Sequence, residues 1–213
     1  AYKKGLMELL GQESKLTRKL HDTARLHPQR VVFAEGGHPT MMKAAVQAKT
    51  EGICQPILLG NPDRLNRLAQ RLKLDLSDIE IIDMRADQEQ GRRATYAKHL
   101  AKKRARQGYN FEEAYDKMYE RNYFGMMMVE TGEADAFITG LYTKYSNTIK
   151  VAKEVVGIRP EYKTFATMHI LNTKKGTFYI ADTLINRHPD ENVLMDVAKL
   201  SAHTVQFFNE EPH

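Results

Sequence analysis

The sequence predicts an α/β protein built on a doubly wound, mostly parallel sheet. Short apolar runs alternate with stretches of helical spacing, which is the order typical of strands joined by helical crossovers. The first run, VVFA at 31–34, is continuously apolar, as expected for a strand covered on both faces. It passes through Glu35-Gly36-Gly37 into a helix that begins near Pro39, because proline suits the first helical turn.

The same strand–turn–helix order recurs through the first 158 residues. The predicted strands cover, in order, 31–34, 57–59, 79–82 and 136–139. Amphipathic spacing predicts a helix after each of the first, second and fourth strands. Two longer helices are predicted between the third and fourth strands, over about 88–107 and over 111–131 with an interruption near 122–125.

Breaker residues divide the chain into three predicted parts. Gly157-Ile158-Arg159-Pro160 is the strongest internal boundary signal. The parts are a polar helix at 1–28, which would act as a linker or pack on a neighbouring domain, a first α/β domain at 29–158, and the start of a second α/β domain at 159–213. In the third part, 164–171 and 177–181 are expected to form a hairpin around Lys174-Lys175-Gly176, followed by a helix capped by Asp190.

Composition excludes several classes of protein. The formal charge of +5 is mild, and the basic run Lys98–Arg106 is more typical of a solvated helix face than of a nucleic-acid surface. The single cysteine, Cys54, permits no internal disulfide and no cysteine metal cluster, which fits a reducing cytoplasm. No apolar run approaches the length of a membrane span, and no signal peptide is recognisable, so neither nucleic acid nor membrane is an expected partner.

Familiar catalytic motifs are missing from the sequence. Its eight histidines show no HExxH spacing, no GxSxG elbow occurs, and Cys54 has no nucleophile context. The residues alone therefore predict no catalytic group and no metal site.

The polar loop after the fourth predicted strand is the stretch best suited to a ligand. In open α/β sheets, ligands bind outside the carboxyl ends of the strands. This loop and the following helix start offer hydroxyls and cations, from Tyr142, Thr143, Lys144, Tyr145, Ser146, Thr148 and Lys150. Such groups at a helix N-terminus suit an anion. The alternative is that Ser146 and Asn147 only cap the helix.

Several segments, taken together and in order, resemble the phosphate acetyl/butyryltransferase (phosphotransacetylase) family. They are VVFAEG at 31–36, PILLGNP at 56–62, RQGYNFEEA at 106–114, NYFGMMMVETGEADAFITG at 122–140 and TFYIADTLIN at 177–186. The resemblance implies the doubly wound fold of that family, which is similar to the isocitrate and isopropylmalate dehydrogenase fold. It also implies that 29–158 and 159–213 are incomplete domains, since a family member continues past Pro212 with further catalytic residues.

The resemblance implies where an acetyl-CoA or phosphate ligand binds. The family loop typically carries Thr-Thr and then Asp-Thr-x-Arg, whereas here Thr148 is kept, Asn147 replaces the aspartate and Lys150 replaces the arginine. Lysine lacks the bidentate fork with which arginine grips phosphate. Another family arginine near the cleft matches Arg104. The expected ligand-binding residues are Arg104, Thr143, Thr148 and Lys150, with none expected to be catalytic.

The departures in the loop resemble the carboxy-terminal domain of large NADP-dependent malic enzymes. That resemblance implies a homo-oligomeric regulatory domain that senses acetyl-CoA. An upstream domain of the same chain would oxidise malate to pyruvate with NADP and a divalent metal, and no cofactor is expected in these 213 residues. Two alternatives stay open: a true phosphate acetyltransferase, and an assembly module without a ligand.

Overall fold

The computed structural model describes residues 15–173, 176–182 and 184–208. The chain forms two compact units. The larger unit is Thr23–Gly157, and the smaller one combines the described residues up to Asp22 with those from Ile158 onward. Helix α1, Lys15–Leu26, runs through the boundary between them. The first 14 residues of the predicted linker helix lie outside the described part.

A four-stranded sheet in the order β3-β2-β1-β4 forms the centre of the larger unit, and all of its pairings are parallel. The strands are β1 (Gln29–Phe33), β2 (Cys54–Leu59), β3 (Glu80–Ile82) and β4 (Ala136–Ile138). The central strand pairs Val32 with Ile57 on one side and with Phe137 on the other. The predicted α/β class and mostly parallel sheet are confirmed.

Helices connect these strands. They are α2 (Pro39–Thr50), α3 (Pro62–Leu72), α4 (Gln90–Arg104), α5 (Phe111–Lys117), α6 (Arg121–Glu130) and α7 (Tyr145–Val155). The side chains of His38 and Asn61 cap α2 and α3, each just before a proline. The predicted interruption near 122–125 was wrong: the break lies at 118–120, and 122–125 belong to α6. Burial of Asn122 and Gly125 in the packed core outweighs their poor helix propensity.

Two apolar layers cover the two faces of the sheet, because successive side chains of a strand point to opposite faces. Val32, Ile57 and Leu59 belong to the layer formed with α4, α5, α6 and α7. Val31, Phe33 and Leu58 belong to the layer formed with α2 and α3. The continuous apolar run read from the sequence is thus a strand buried on both faces.

The smaller unit contains an antiparallel hairpin and a long helix. The strands β5 (Met168–Thr173) and β6 (Gly176–Ala181) pair from Met168 opposite Ala181 to Thr173 opposite Gly176. Helix α8 (Glu191–Phe207) begins where the Asp190 carboxylate accepts a hydrogen bond from the Val193 amide at 2.8 Å. The predicted hairpin and cap are confirmed, while Lys174 and Lys175 of the predicted turn lie outside the described residues. In the part of the chain that the structure describes, no helix is long and apolar enough to cross a membrane.

Gly125 sets how closely α6 packs on the sheet. A Cβ at this position would lie 2.7 Å from Phe137 Cδ2 and 3.2 Å from Leu59 Cδ1. Both neighbours belong to strands and are held by the core. The absence of a side chain at Gly125 therefore lets the buried helix contact β4 directly.

We predict that Gly125→Ala destabilises the larger unit by about 1–3 kcal/mol, because overpacking a filled core forces its neighbours to move. Helix propensity alone predicts the opposite sign, since alanine is favoured over glycine by about 1 kcal/mol. The matched control is Gly91→Ala in α4, where nothing lies within 4 Å of the added Cβ. Denaturant unfolding measures both variants. Equal or greater stability of Gly125→Ala would contradict the packing argument.

Candidate functional site

A cleft opens at the carboxyl ends of β1, β2 and β3. Its cavity measures about 950 Å³, and its walls come from the segments that follow these strands. Those segments contribute Glu35 and Gly37 after β1, Gly60 and Asn61 after β2, and Asp83–Arg85 after β3. This is the edge of the sheet at which open α/β proteins bind ligands.

The Glu35 carboxylate fixes the loop that follows β4. Its Oε2 accepts hydrogen bonds from the amides of Gly140 at 3.0 Å and Leu141 at 2.9 Å. Its Oε1 accepts one from the Tyr142 amide at 2.7 Å. Glu35 is 1% exposed, so the end of β1 and the loop after β4 are joined by one buried side chain.

Glu35 is held in its charged form. Burial by itself raises the pKa of this carboxyl, but the three amides and the nearby Arg121 guanidinium outweigh that effect and hold its pKa below the ordinary value. A buried carboxylate that accepts several backbone N–H bonds is a poor proton acceptor. Glu35 is therefore suited to holding the loop and not to general-base chemistry.

Tyr142 links this loop to the cleft. Its ring meets the His38 ring edge-on at 5.1 Å, and the Arg121 guanidinium lies 5.7 Å from its centroid. The His38 imidazole is fixed in turn because its Nδ1 accepts a hydrogen bond from the Thr40 amide at 3.1 Å. Tyr142 is 61% exposed and lines the cleft, so it presents an aromatic surface beside a cation.

Arg93 holds the segment that follows β3. Its guanidinium is buried and donates to the carbonyls of Met84 at 2.7 Å and Ala86 at 2.8 Å. It also lies 4.5 Å from the centre of the Tyr119 ring. This buried cation thus supports the backbone at the third wall of the cleft.

Thr143 and Thr148 lie on either side of the start of α7. Thr143 is half-buried in the loop, and Thr148 is in the first turn of the helix. The Thr148 Oγ1 is buried and makes no hydrogen bond with any residue that the structure describes. An unpaired buried hydroxyl is costly, and a ligand atom would satisfy it only if the residues that cover Thr148 moved aside.

Arg104 contacts the other end of α7, and Lys150 lies at the middle of that helix. The Arg104 guanidinium donates to the carbonyls of Glu154 at 2.6 Å and Lys153 at 2.5 Å, which stabilises the last turn of the helix. The Lys150 side chain is 68% exposed, with Nζ 3.9 Å from Glu154 Oε1. The structure therefore separates Arg104 from Thr148 along α7. The binding of acetyl-CoA by the four residues stays a prediction.

Glu154 is also the centre of a polar cluster. Its Oε2 accepts hydrogen bonds from the hydroxyls of Tyr109, at 2.5 Å, and Tyr123. Burial and the Glu154 carboxylate raise the pKa of Tyr109 to about 12, so the phenol remains a donor at neutral pH. This cluster fixes α7 against α6 and the segment before α5, and it leaves Glu154 no role as a base. In the described ranges, no group of three His, Cys, Asp or Glu side chains is placed to hold a metal ion.

Sequence reasoning missed the two features that define the cleft. Glu35 was treated as part of a turn, because its three partners lie 105 to 107 residues away and no local pattern shows them. The arginines of α3 were also missed. Their spacing at 64, 67 and 71 was a visible signal, since it places them on one helix face.

The fold and cleft define an α/β protein of the phosphotransacetylase type. A phosphotransacetylase from Staphylococcus aureus superposes with a TM-score of 0.81 at 26% identity, over 92% of this chain and 58% of its own. A phosphotransacetylase from Streptococcus pyogenes gives a TM-score of 0.80 at 25% identity, over 94% of this chain and 61% of its own.

The family model described as phosphate acetyl/butaryl transferase matches residues 15–213, so the chain belongs to that family. It is 32% identical to an NADP-dependent malic enzyme of Salmonella typhimurium, over 100% of this chain but 28% of the malic enzyme. It is 29% identical to a phosphate acetyltransferase of Thermoanaerobacterium thermosaccharolyticum, over 90% of this chain and 58% of that protein. The chain therefore spans only part of each of these relatives.

We predict that Glu35→Gln lowers the free energy of unfolding at pH 7 by roughly 2–3 kcal/mol, since hydrogen bonds to a charged group are lost. A carboxyl group whose pKa is lowered by folding stabilises the protein at pH values above its ordinary pKa, which is 4.5 for Glu35. This stabilisation is lost as the pH falls through the lower pKa of the folded state. The difference between the two proteins should therefore shrink below about pH 4.5.

Denaturant unfolding across this pH range measures the effect, with amide exchange at Gly140–Tyr142 as a local readout. Glu80→Gln is the matched control, because Glu80 is exposed on the edge strand β3. A pH-independent difference, or unchanged amide exchange in the loop, would show that the charge on Glu35 does not hold it.

Proposed function

We propose that this chain is a regulatory domain that binds acetyl-CoA and does not transfer acetyl groups. In this proposal it is the phosphotransacetylase-like domain of an NADP-dependent malic enzyme. The upstream domain of that enzyme would oxidise malate to pyruvate with NADP and a divalent metal, and the regulatory domains would self-associate.

The observation that carries the proposal is the state of the carboxylates around the loop. Acetyl transfer needs a base for the CoA thiol, because the thiolate is the nucleophile. Within the described residues, Glu35 is the carboxylate that touches the loop, and both of its oxygens accept backbone amides. Asn147 cannot take a proton in place of an aspartate.

The acidic residue just before β4, Asp135, lies at the opposite ends of the strands from the cleft. Asp135 precedes β4, and its carboxylate binds the Arg30 guanidinium at 2.8 Å and the Arg30 amide at 2.8 Å. The Arg30 guanidinium and amide lower the pKa of Asp135 to about 2. Since Arg30 is near the start of β1, this pair marks the amino ends of the strands, away from the cleft.

The groups that remain suit binding of an anionic thioester. Thr148 supplies an unpaired buried hydroxyl in the first turn of α7. Lys150 supplies an exposed cation at the middle of the same helix, on a different face from Thr148. Helix N-terminal amides favour anions in the same region. These groups supply hydrogen bonds and positive charge without a base.

Similarity to the malic enzyme supports the choice of a hybrid protein, because the match extends over 100% of this chain. The second candidate is a phosphate acetyltransferase, which the superposition on solved phosphotransacetylases favours. The two differ in chemistry: the first binds acetyl-CoA and alters malate oxidation, and the second makes acetyl-CoA from acetyl phosphate and CoA.

The test combines two assays on the protein translated from the whole reading frame that contains this chain. We expect no acetyl-CoA formation from acetyl phosphate and CoA, because Asn147 and Lys150 stand where the loop of the transferases carries aspartate and arginine. We also expect acetyl-CoA to change the rate of malate-dependent NADPH formation. Sustained acetyl-CoA synthesis, or a complete lack of acetyl-CoA binding, would contradict the proposal.

Lys150→Ala is predicted to weaken acetyl-CoA binding about tenfold or more, because one charge-assisted hydrogen bond contributes roughly 1.5–3 kcal/mol. Calorimetric titration of the two proteins measures the change. The matched control is Lys98→Ala, which removes an exposed lysine from α4 and should leave the affinity unchanged. The same affinity in all three proteins would remove Lys150 from the site.

A further inference from the structure

Arginine side chains dominate the cleft beside β2 and β3. Arg64, Arg67 and Arg71 lie on one face of α3 and line the cavity. Arg85, after β3, and Arg121, at the start of α6, line it as well. Three separate segments thus contribute five arginines to the lining of one cavity.

These guanidiniums form no ion pairs within the described residues, and the Arg121 guanidinium is the one named above as lying near the Glu35 carboxylate. Among the residues that the structure describes, no carboxylate forms an ion pair with any of the five arginines. Asp63 lies one turn before Arg67 on α3 and does not pair with it either. Arg67 is also three residues after Arg64 and four before Arg71. Like charges at these helical spacings repel. The row on α3 is therefore unfavourable for the helix by itself.

The carboxylates that line the cleft are already engaged. Asp83 accepts hydrogen bonds from the Asn61 side chain at 3.1 Å and from the Arg85 amide at 3.1 Å. Both oxygens of Glu35 bind the loop amides. Five arginines against the two carboxylates of Glu35 and Asp83 leave the lining with a net positive formal charge, which would attract an anion.

The dimensions indicate what kind of anion fits. From Arg64 to Arg71 the helix rises about 10 Å, at 1.5 Å per residue, which is longer than a single phosphate group. The cavity of about 950 Å³ is large enough for a small organic ligand. Leu68 and the exposed Tyr142 ring add apolar surface to the same lining.

We propose that this cleft binds the phosphate groups of a nucleotide through Arg64, Arg67 and Arg71. The guanidinium fork matches phosphate oxygens in pairs, and a chain of phosphates would neutralise the repulsion along α3. The apolar lining would take the nucleoside. The observations behind this assignment are the arginines of the cleft, whereas the acetyl-CoA proposal rests on the loop after β4 and on α7.

The experiment uses the 213-residue chain with ADP and inorganic tripolyphosphate as probes, followed by calorimetry and thermal unfolding. Both probes are expected to bind and to raise the unfolding temperature. The variant combining Arg64→Gln, Arg67→Gln and Arg71→Gln should lose about tenfold or more in affinity for both. The matched control, Arg106→Gln, removes an exposed arginine outside the cleft lining and should change affinity less than about twofold.

The unfolding temperature without ligand tests whether these arginines stabilise the fold and do not bind a ligand. This temperature should be no lower in the triple variant than in the unaltered chain, because removing like charges from α3 relieves their repulsion. If that variant does not fold, the single changes Arg67→Gln and Arg71→Gln are expected to show the same direction of effect on binding.

A competition experiment with acetyl-CoA identifies the ligand. If acetyl-CoA displaces ADP, the cleft binds the nucleotide part of acetyl-CoA. If ADP and acetyl-CoA bind together, the cleft binds a separate nucleotide. Both results support the site.

Four outcomes would overturn the assignment. The first is that neither probe binds the unaltered chain. The second is that the arginine variants bind both probes as tightly as Arg106→Gln does. The third is that ADP binds and tripolyphosphate does not. The fourth is that a short RNA binds through the same arginines more tightly than ADP, which would make the cleft a nucleic-acid surface.

Discussion

The carboxylate of Glu35 is the interaction on which the cleft depends. Desolvating a charged group is expensive unless its oxygens are well satisfied, and here three backbone amides satisfy them. Because those amides belong to the loop after β4, the central strand and the edge strand are tied together where a ligand would bind. These three hydrogen bonds fix the loop as far as the Tyr142 amide, while the Tyr142 side chain remains exposed.

The doubly wound topology explains why two adjacent candidate sites occur. In the strand order β3-β2-β1-β4, the segments after β2 and β3 lie on one side of the segment after β1, and the loop after β4 lies on its other side. Glu35, after β1, stands between them. The loop offers hydroxyls and a lysine, whereas the cleft offers arginines. The same edge of the sheet therefore provides two chemically different surfaces.

Family membership defines the fold of this chain more firmly than its chemistry. The chain shares its family model with phosphate acetyl/butaryl transferases and has substantial similarity to a malic enzyme. A fold carries many functions, and the function resides in the site. Here the amide side chain of Asn147 and the occupied oxygens of Glu35 leave neither residue suited to act as a base in the loop.

Much of the fold follows from the sequence because its determinants are local. Apolar runs of strand length, proline at helix starts and glycine after strands predicted the elements of the larger unit to within a few residues. The site was less predictable. Arg104 bonds to carbonyls 49 and 50 residues away, which no spacing in the sequence reveals, and Glu35 likewise acts at long range. The buried, unpaired hydroxyl of Thr148 emerges only when the chain has folded around it.

The central claim is that the loop held by Glu35 and the start of α7 form the surface that meets acetyl-CoA. An NMR titration of the 213-residue chain with acetyl-CoA, following backbone amide shifts residue by residue, tests it most directly. The account predicts that the largest changes occur at Gly140–Tyr142 and around Thr148, with small changes at the Asp135 end of the sheet. Saturable binding that leaves both of those segments unshifted would contradict it.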